Sequence, residues 1–75
     1  MAEKYDNATF GANLKEIRQY QVRITQEELS KRSGVDQNSI ARYENDVNTP
    51  GLDKAVALAS ALGVTLNELY PMTTA

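Results

Sequence analysis

Apolar residues recur along this chain at helical spacing, and helix-start signals stand in front of the apolar runs. Thr25 followed by Glu28 has the spacing of a capping box, in which each side chain accepts a hydrogen bond from the other residue's backbone N–H. Apolar residues flank the pair at the spacing of a hydrophobic staple. The pattern predicts a helix that begins at Gln26 and ends near Ser33.

Two later segments carry related signals. Thr65 and Glu68 repeat the capping box and predict a short last helix that begins at Leu66. Asp36 is a good N-cap residue, and it predicts a helix that begins at Gln37. Since Asp36 follows Ser33 closely, only a short turn separates this helix from the one before it.

Periodicity alone predicts two further helices. The apolar face of the first is expected to contain Phe10, Leu14, Ile17 and, one turn later, Gln21. The fourth helix lies between Pro50 and Gly63, and its buried face is expected to contain Leu52, Val56, Ala59 and Leu62. No segment alternates as a strand would, so the sequence predicts an all-α, compact five-helix domain.

Size and composition narrow the possible functions. With 75 residues the chain is a single small domain that must use most of its apolar residues for packing. It has no Cys and no His, which removes thiolate and imidazole catalysis and the usual zinc ligands. We therefore predict no enzymatic activity, no metal, no cofactor and no small-molecule ligand. No secretory signal or membrane-length apolar run is evident, so we expect a cytoplasmic protein without a membrane partner.

The segment from about residue 26 to 45 has the organisation of a helix-turn-helix. A short helix is followed by a turn in which Gly34 can adopt the left-handed conformation, and a second capped helix begins at Gln37. In such motifs the second helix enters the major groove of DNA. The most informative residues in and after this segment are Gln26, Leu29, Gly34, Val35, Ile40, Glu44, Asn45 and the loop 48–50.

These residues, together with the segment 59–69, resemble the lambda-repressor, Cro and XRE-like helix-turn-helix family. The resemblance covers residues 10–70 and leaves 1–9 and 71–75 as tails. It implies a five-helix DNA-binding domain that represses transcription as a homodimer on an inverted repeat of double-stranded operator DNA. Such regulators are encoded by bacteria and phages and act at the nucleoid.

The resemblance also implies which residues contact bases. The positions concerned are Gln37, Asn38 and Arg42, on the predicted recognition helix 37–45. Their chemistry suits the task, because Gln and Asn can each bond adenine through two hydrogen bonds and Arg can do the same with guanine. The alternative is an exposed helix face on which amides and Arg are merely solvated.

Other matching positions imply phosphate contacts or a structural role. Gln26 and Asn45 match positions that contact phosphates in the family, and Ser39, Lys31 and Arg23 are further candidates by their position and chemistry. For Lys31, a solvated basic face is an equally good interpretation. Arg18 and Glu44 match a pair that joins the first helix to the third in similar domains, and we assign them to a structural ion pair.

Two departures from the family pattern bear on structure and binding. Seven residues, Gln19 to Thr25, separate Arg18 from Gln26. This is one more than the family usually has, and the customary glycine is absent, so we expect a longer loop. Asp46 stands where the family commonly has glycine after the third helix, and its charge counts against tight DNA binding.

Neither the net charge nor the apolar residues of the last two helices decide whether the partner is DNA or another protein. Eight basic and ten acidic residues give a net charge of −2, so DNA affinity must come from a few well-placed contacts. Apolar residues in excess of one buried stripe predict a dimer contact through Leu66, Tyr70 and Met72. The alternative function is a protein–protein interaction module built on a helix-turn-helix scaffold, which the negative charge would suit.

Overall fold

The computed structural model describes residues 9–70, which form five helices and no strand. In chain order the helices are α1, Phe10–Glu16, which continues as a π-helix over Ile17–Val22; α2, Gln26–Ser33; α3, Gln37–Glu44; α4, Leu52–Leu62; and α5, Leu66–Leu69. The predicted all-α, five-helix architecture is confirmed. None of the helices between residues 9 and 70 has both the length and the apolar composition that crossing a bilayer requires.

The two helices of the motif begin where their caps predict. Thr25 Oγ1 accepts a hydrogen bond from the Glu28 amide at 3.0 Å, and α2 starts at the next residue. Asp36 Oδ2 accepts from the Ser39 amide at 3.2 Å and caps α3 in the same way. Each bond satisfies one backbone donor that the first helical turn leaves without a partner.

In the predicted capping boxes, the carboxylates of Glu28 and Glu68 do not accept hydrogen bonds from the backbone amides of Thr25 and Thr65. The Glu28 carboxylate accepts from Arg32 Nε at 3.0 Å, because a cation one turn along the helix offers a stronger, charge-assisted bond than a neutral amide does. At α5 the predicted box is wrong altogether. There the Thr65 hydroxyl donates to Glu68 Oε2 at 3.5 Å and makes no side-chain cap.

The helices enclose one hydrophobic core. α1 packs against α3 and α5, and α2 packs against α3 and α4. The largest fully buried side chains come from all five helices and are Leu14, Leu29, Ile40, Leu58 and Leu69. Tyr43 closes the core beside Phe10, with the two rings edge to face and their centroids 6.5 Å apart. α3 is therefore held by its apolar face along its length.

The expected loop after α1 is mostly helical. The chain continues as a π-helix as far as Val22, and Arg23 then turns left-handed with φ 64°. Because π-helical hydrogen bonds join residues five apart, the position on the core side after Ile17 is Val22. Val22 packs against the core, and Gln21, which α-helical spacing had placed there, is exposed.

The buried face of α4 also differs from the predicted one. Its buried residues are Ala55, Leu58, Ala59 and Leu62. Leu52 and Val56, which we expected in the core, are 70% and 46% exposed. The helix is apolar on more than one side, and its packing against α2 and α5 selects the side that carries Leu58.

A close approach between α1 and α3 occurs at Gly11, a residue to which we assigned no role from the sequence. An added Cβ at Gly11 would lie far inside contact distance of the Tyr43 carbonyl oxygen and 2.6 Å from Asp46 Oδ1. Only glycine lets the first turn of α1 lie against the end of α3. The backbone of Asp46 is left-handed, with φ 62°, at the position where the family commonly has glycine.

Candidate nucleic-acid interface

The outer face of α3 carries the three residues predicted to contact bases. Gln37, Asn38 and Arg42 are all exposed, whereas Ile40 and Tyr43 on the inner face are buried. Asn38 and Arg42 lie one turn apart, and Gln37 opens the helix beside Asn38. An amide pair and a guanidinium are thus presented together on a helix whose opposite side is fixed in the core.

The turn between α2 and α3 has the geometry that the motif requires. Gly34 ends α2 in the left-handed conformation, with φ 78°, and its amide donates to the Ser30 carbonyl oxygen at 2.8 Å. Val35 is buried, and its amide donates to Ser33 Oγ at 3.1 Å. Asp36 then caps α3. This short turn, anchored by a buried side chain, sets the direction in which the recognition helix leaves α2.

A buried ion pair holds the other end of α3. Arg18 donates through Nε to Glu44 Oε2 at 2.6 Å and through Nη2 to Oε1 at 2.9 Å. The side chains are only 8% and 3% exposed. Arg18 Nη1 also donates to the carbonyl oxygen of Ile24 at 2.8 Å, which ties down the connection before α2. The structure therefore contains the ion pair that the resemblance implies, and the pair joins α1 to the last residue of α3.

Gln26 belongs to the same cluster. Its Nε2 donates to Glu44 Oε1 at 2.9 Å, so the side chain expected to contact a phosphate is engaged within the protein. No sequence pattern predicts this bond, because it depends on how closely the N-terminus of α2 approaches the C-terminus of α3. The backbone amides of the first turn of α2 remain a suitable site for a phosphate oxygen.

The other predicted phosphate-contacting residues occupy different surroundings. Arg23 is exposed in the connection before α2, and Asn45 is exposed where α3 ends. Ser39 is half-buried in the first turn of α3. Lys31 Nζ lies 4.0 Å from Glu27 Oε2, with both side chains about 70% exposed, so this weak surface pair leaves its cation accessible to solvent.

The strip predicted to form a dimer contact is less exposed than expected. Leu66 and Tyr70 are half-buried and pack against the core, and the Tyr70 ring lies 4.8 Å from the Phe10 ring, centroid to centroid. Met72 lies outside the described residues. In the part of the chain that is described, the large apolar side chains that are most exposed are Tyr20, Val47, Leu52 and Val56.

Comparisons with known proteins agree with the arrangement of the five helices. The sequence model of the helix-turn-helix family matches residues 14–69. A similar solved structure is the high-resolution crystal structure of the restriction-modification controller protein C.AhdI from Aeromonas hydrophila. It is 31% identical, with a TM-score of 0.76, over 81% of this chain and 91% of that chain. No curated protein matches the chain. With the family match extending over most of its length, this chain belongs to the helix-turn-helix family of DNA-binding transcription regulators of the Cro/C1, or XRE, type.

Proposed function

We propose that this protein binds a specific sequence of double-stranded DNA with α3 in the major groove, and that it represses transcription as a dimer on an inverted repeat. The observation that carries the proposal is the outer face of α3. It exposes Gln37, Asn38 and Arg42 on a helix that is anchored by its Asp36 cap at one end and by buried Glu44 at the other. A rigidly held helix with hydrogen-bonding side chains along one face is suited to base recognition.

Each base-contacting residue has a distinct expected partner. Gln37 and Asn38 would each bond N6 and N7 of an adenine, and Arg42 would bond O6 and N7 of a guanine. Two adjacent amides and one guanidinium therefore favour a half-site that contains both adenine and guanine. Each good bidentate pair contributes about 1–3 kcal/mol of discrimination against the wrong base.

Phosphate contacts would supply affinity without sequence preference. Arg23 and Lys31 provide exposed cations, and Gln26, Ser39 and Asn45 provide neutral donors. Because neutral donors release no counterions and the net charge is −2, we expect a shallow dependence of affinity on salt. Non-specific binding should be correspondingly weak.

A two-fold dimer would place two copies of α3 about one DNA turn apart, roughly 34 Å. We propose Leu66, Tyr70 and Met72 as residues of the contact between protomers. The similarity to a restriction-modification controller supports a role in transcription control. Sedimentation at high protein concentration tests the dimer directly, and a species that stays monomeric both alone and on DNA would refute it.

The function is tested by selecting bound duplexes from a random library at about 100 mM salt, where weak phosphate contacts alone retain little DNA. We expect the wild type to enrich an inverted repeat and the variant Gln37→Ala/Asn38→Ala/Arg42→Ala to enrich nothing. The matched control Lys15→Ala/Gln19→Ala/Gln21→Ala also removes one cation and two amides from exposed positions, all outside α3 and α5. It should select the wild-type sequence.

The possible results separate the parts of the proposal. Enrichment of a single half-site would refute the dimer and retain major-groove recognition. Enrichment by the α3 variant equal to that of the wild type would refute recognition through these residues. If the wild type enriches no sequence, DNA recognition fails, and the protein–protein interaction module becomes the function to pursue.

A further inference from the structure

Gln26 connects the two helices of the motif through a bond that involves no DNA. It is the first residue of α2, and Glu44 is the last residue of α3. Their side chains meet with Gln26 Nε2 donating to Glu44 Oε1 at 2.9 Å. The turn around Gly34 connects the two helices at one end, and this bond connects them at the other.

The Glu44 carboxylate is the centre of this cluster. It accepts three hydrogen bonds, from Nε and Nη2 of Arg18 and from Nε2 of Gln26, and only 3% of its side chain is exposed. A carboxylate without a proton can only accept, so the Gln26 amide must turn its nitrogen towards it. One of the two N–H groups of the Gln26 amide is used in this bond, and the other can still donate to a phosphate oxygen.

Resting on the proposed function, we propose that Gln26 is a positioning residue for the recognition helix, a role that is separate from any bond its second N–H makes to a phosphate. Through Glu44 it sets the angle between α2 and α3. That angle decides where Gln37, Asn38 and Arg42 meet the base edges. Bidentate bonds to bases tolerate displacements of only about 0.5 Å or 10–20°. Gln26 therefore contributes to discrimination between sequences while touching no base.

The test compares the affinity for the selected operator with that for an unrelated duplex of the same length. Gln26→Met keeps the length of the side chain and removes both N–H groups. Because the loss of a phosphate contact weakens both affinities alike, it cancels in their ratio, and loss of the positioning role should lower that ratio roughly tenfold. A residue that served only as a phosphate ligand would leave the ratio intact. An unchanged ratio overturns the proposal.

Two further variants test whether Gln26 acts through Glu44. Gln26→Lys restores a donor to the carboxylate, and any added attraction to phosphate cancels in the ratio, so the wild-type ratio should return. In an Arg18→Met/Glu44→Leu background, which offers Gln26 no side-chain acceptor at position 44, Gln26→Met should lower the ratio much less than it does in the wild type. A full loss in that background, or no recovery with lysine, contradicts the proposal.

Controls separate this inference from loss of fold and from failure of the proposed function. All affinities are measured at a temperature where circular dichroism shows wild-type helix content. Gln19→Met, at an exposed position of the π-helix, should leave the ratio unchanged. If the wild type selects no operator, the proposed function fails and this inference fails with it. If an operator is selected and Gln26→Met keeps the ratio, only this inference is refuted.

Discussion

Replacing Arg18 with alanine should lower the free energy of unfolding by about 3–5 kcal/mol, because it leaves a buried carboxylate without its cation. In the native protein the guanidinium donates to both oxygens of Glu44, at 2.6 and 2.9 Å, and to the carbonyl oxygen of Ile24 at 2.8 Å. After the substitution, Gln26 is the one remaining donor to Glu44 among these contacts. A neutral amide compensates for little of the cost of keeping a charge away from water.

That loss is large for a domain of this size. At about 0.05–0.15 kcal/mol per residue, 75 residues give a total stability of roughly 4–11 kcal/mol. One kcal/mol corresponds to about 4–8 °C in the melting temperature of a small domain, so the expected decrease is about 12–40 °C. Urea and thermal denaturation followed by far-UV circular dichroism measure both quantities.

The chain offers a matched control on its surface. Arg32 Nε lies 3.0 Å from Glu28 Oε2, but these side chains are 46% and 44% exposed. Arg32→Ala should therefore lower the unfolding free energy by only about 0.3–0.5 kcal/mol. Equal losses for Arg18→Ala and Arg32→Ala would refute the argument from burial.

A double variant separates charge from packing. Arg18→Met/Glu44→Leu removes both charges and keeps apolar volume, so it should be close to the wild type in stability or exceed it. If the double variant is as unstable as Arg18→Ala, the loss comes from packing and the reasoning about an uncompensated charge is wrong.

Two further substitutions should have effects opposite to those expected from helix propensity or from charge alone. Gly11→Ala should lower the unfolding free energy in urea by about 1–3 kcal/mol, because its Cβ would collide with the Tyr43 carbonyl oxygen, and a more stable variant would refute the close approach. Arg23→Gly should raise stability by about 0.5–1 kcal/mol by relieving the left-handed backbone, yet weaken DNA binding and reduce its salt slope by about one. An unchanged slope would mean that Arg23 contacts no phosphate.

Local interactions explain which helices the sequence could predict. The caps at Thr25 and Asp36 bond amides only three residues away, so the starts of α2 and α3 could be predicted correctly. The buried face of α4 could not be predicted, because the helix is apolar on more than one side. Its packing against α2 and α5 determines which side is buried. The cap at Thr65 failed for a similar reason, since its signal alone does not determine whether the hydroxyl accepts from the backbone or donates to Glu68.

In the candidate site, too, some features follow from the local sequence pattern and others depend on how the helices pack. The exposure of Asn38 and Arg42 follows from a helix whose other face carries Ile40 and Tyr43, which is a local pattern. The bond from Gln26 to Glu44 depends on the packing of two helices and has no local signal. Gly11 did carry a local signal. Glycine inside a helix costs about 1 kcal/mol relative to alanine, so its presence there points to a packing constraint.

The π-helix after Ile17 bears on the one residue by which the segment between Arg18 and Gln26 exceeds the family pattern. The extra residue lies inside a helix, where a wider turn takes it up, and the connection before α2 stays short. A sequence comparison that assumes α-helical spacing through this segment would assign a core position to Gln21, which is exposed. The wider spacing of the π-helix assigns that position to Val22, which packs against the core. In this protein the helix, and not the loop after it, takes up the residue by which this segment exceeds the family pattern.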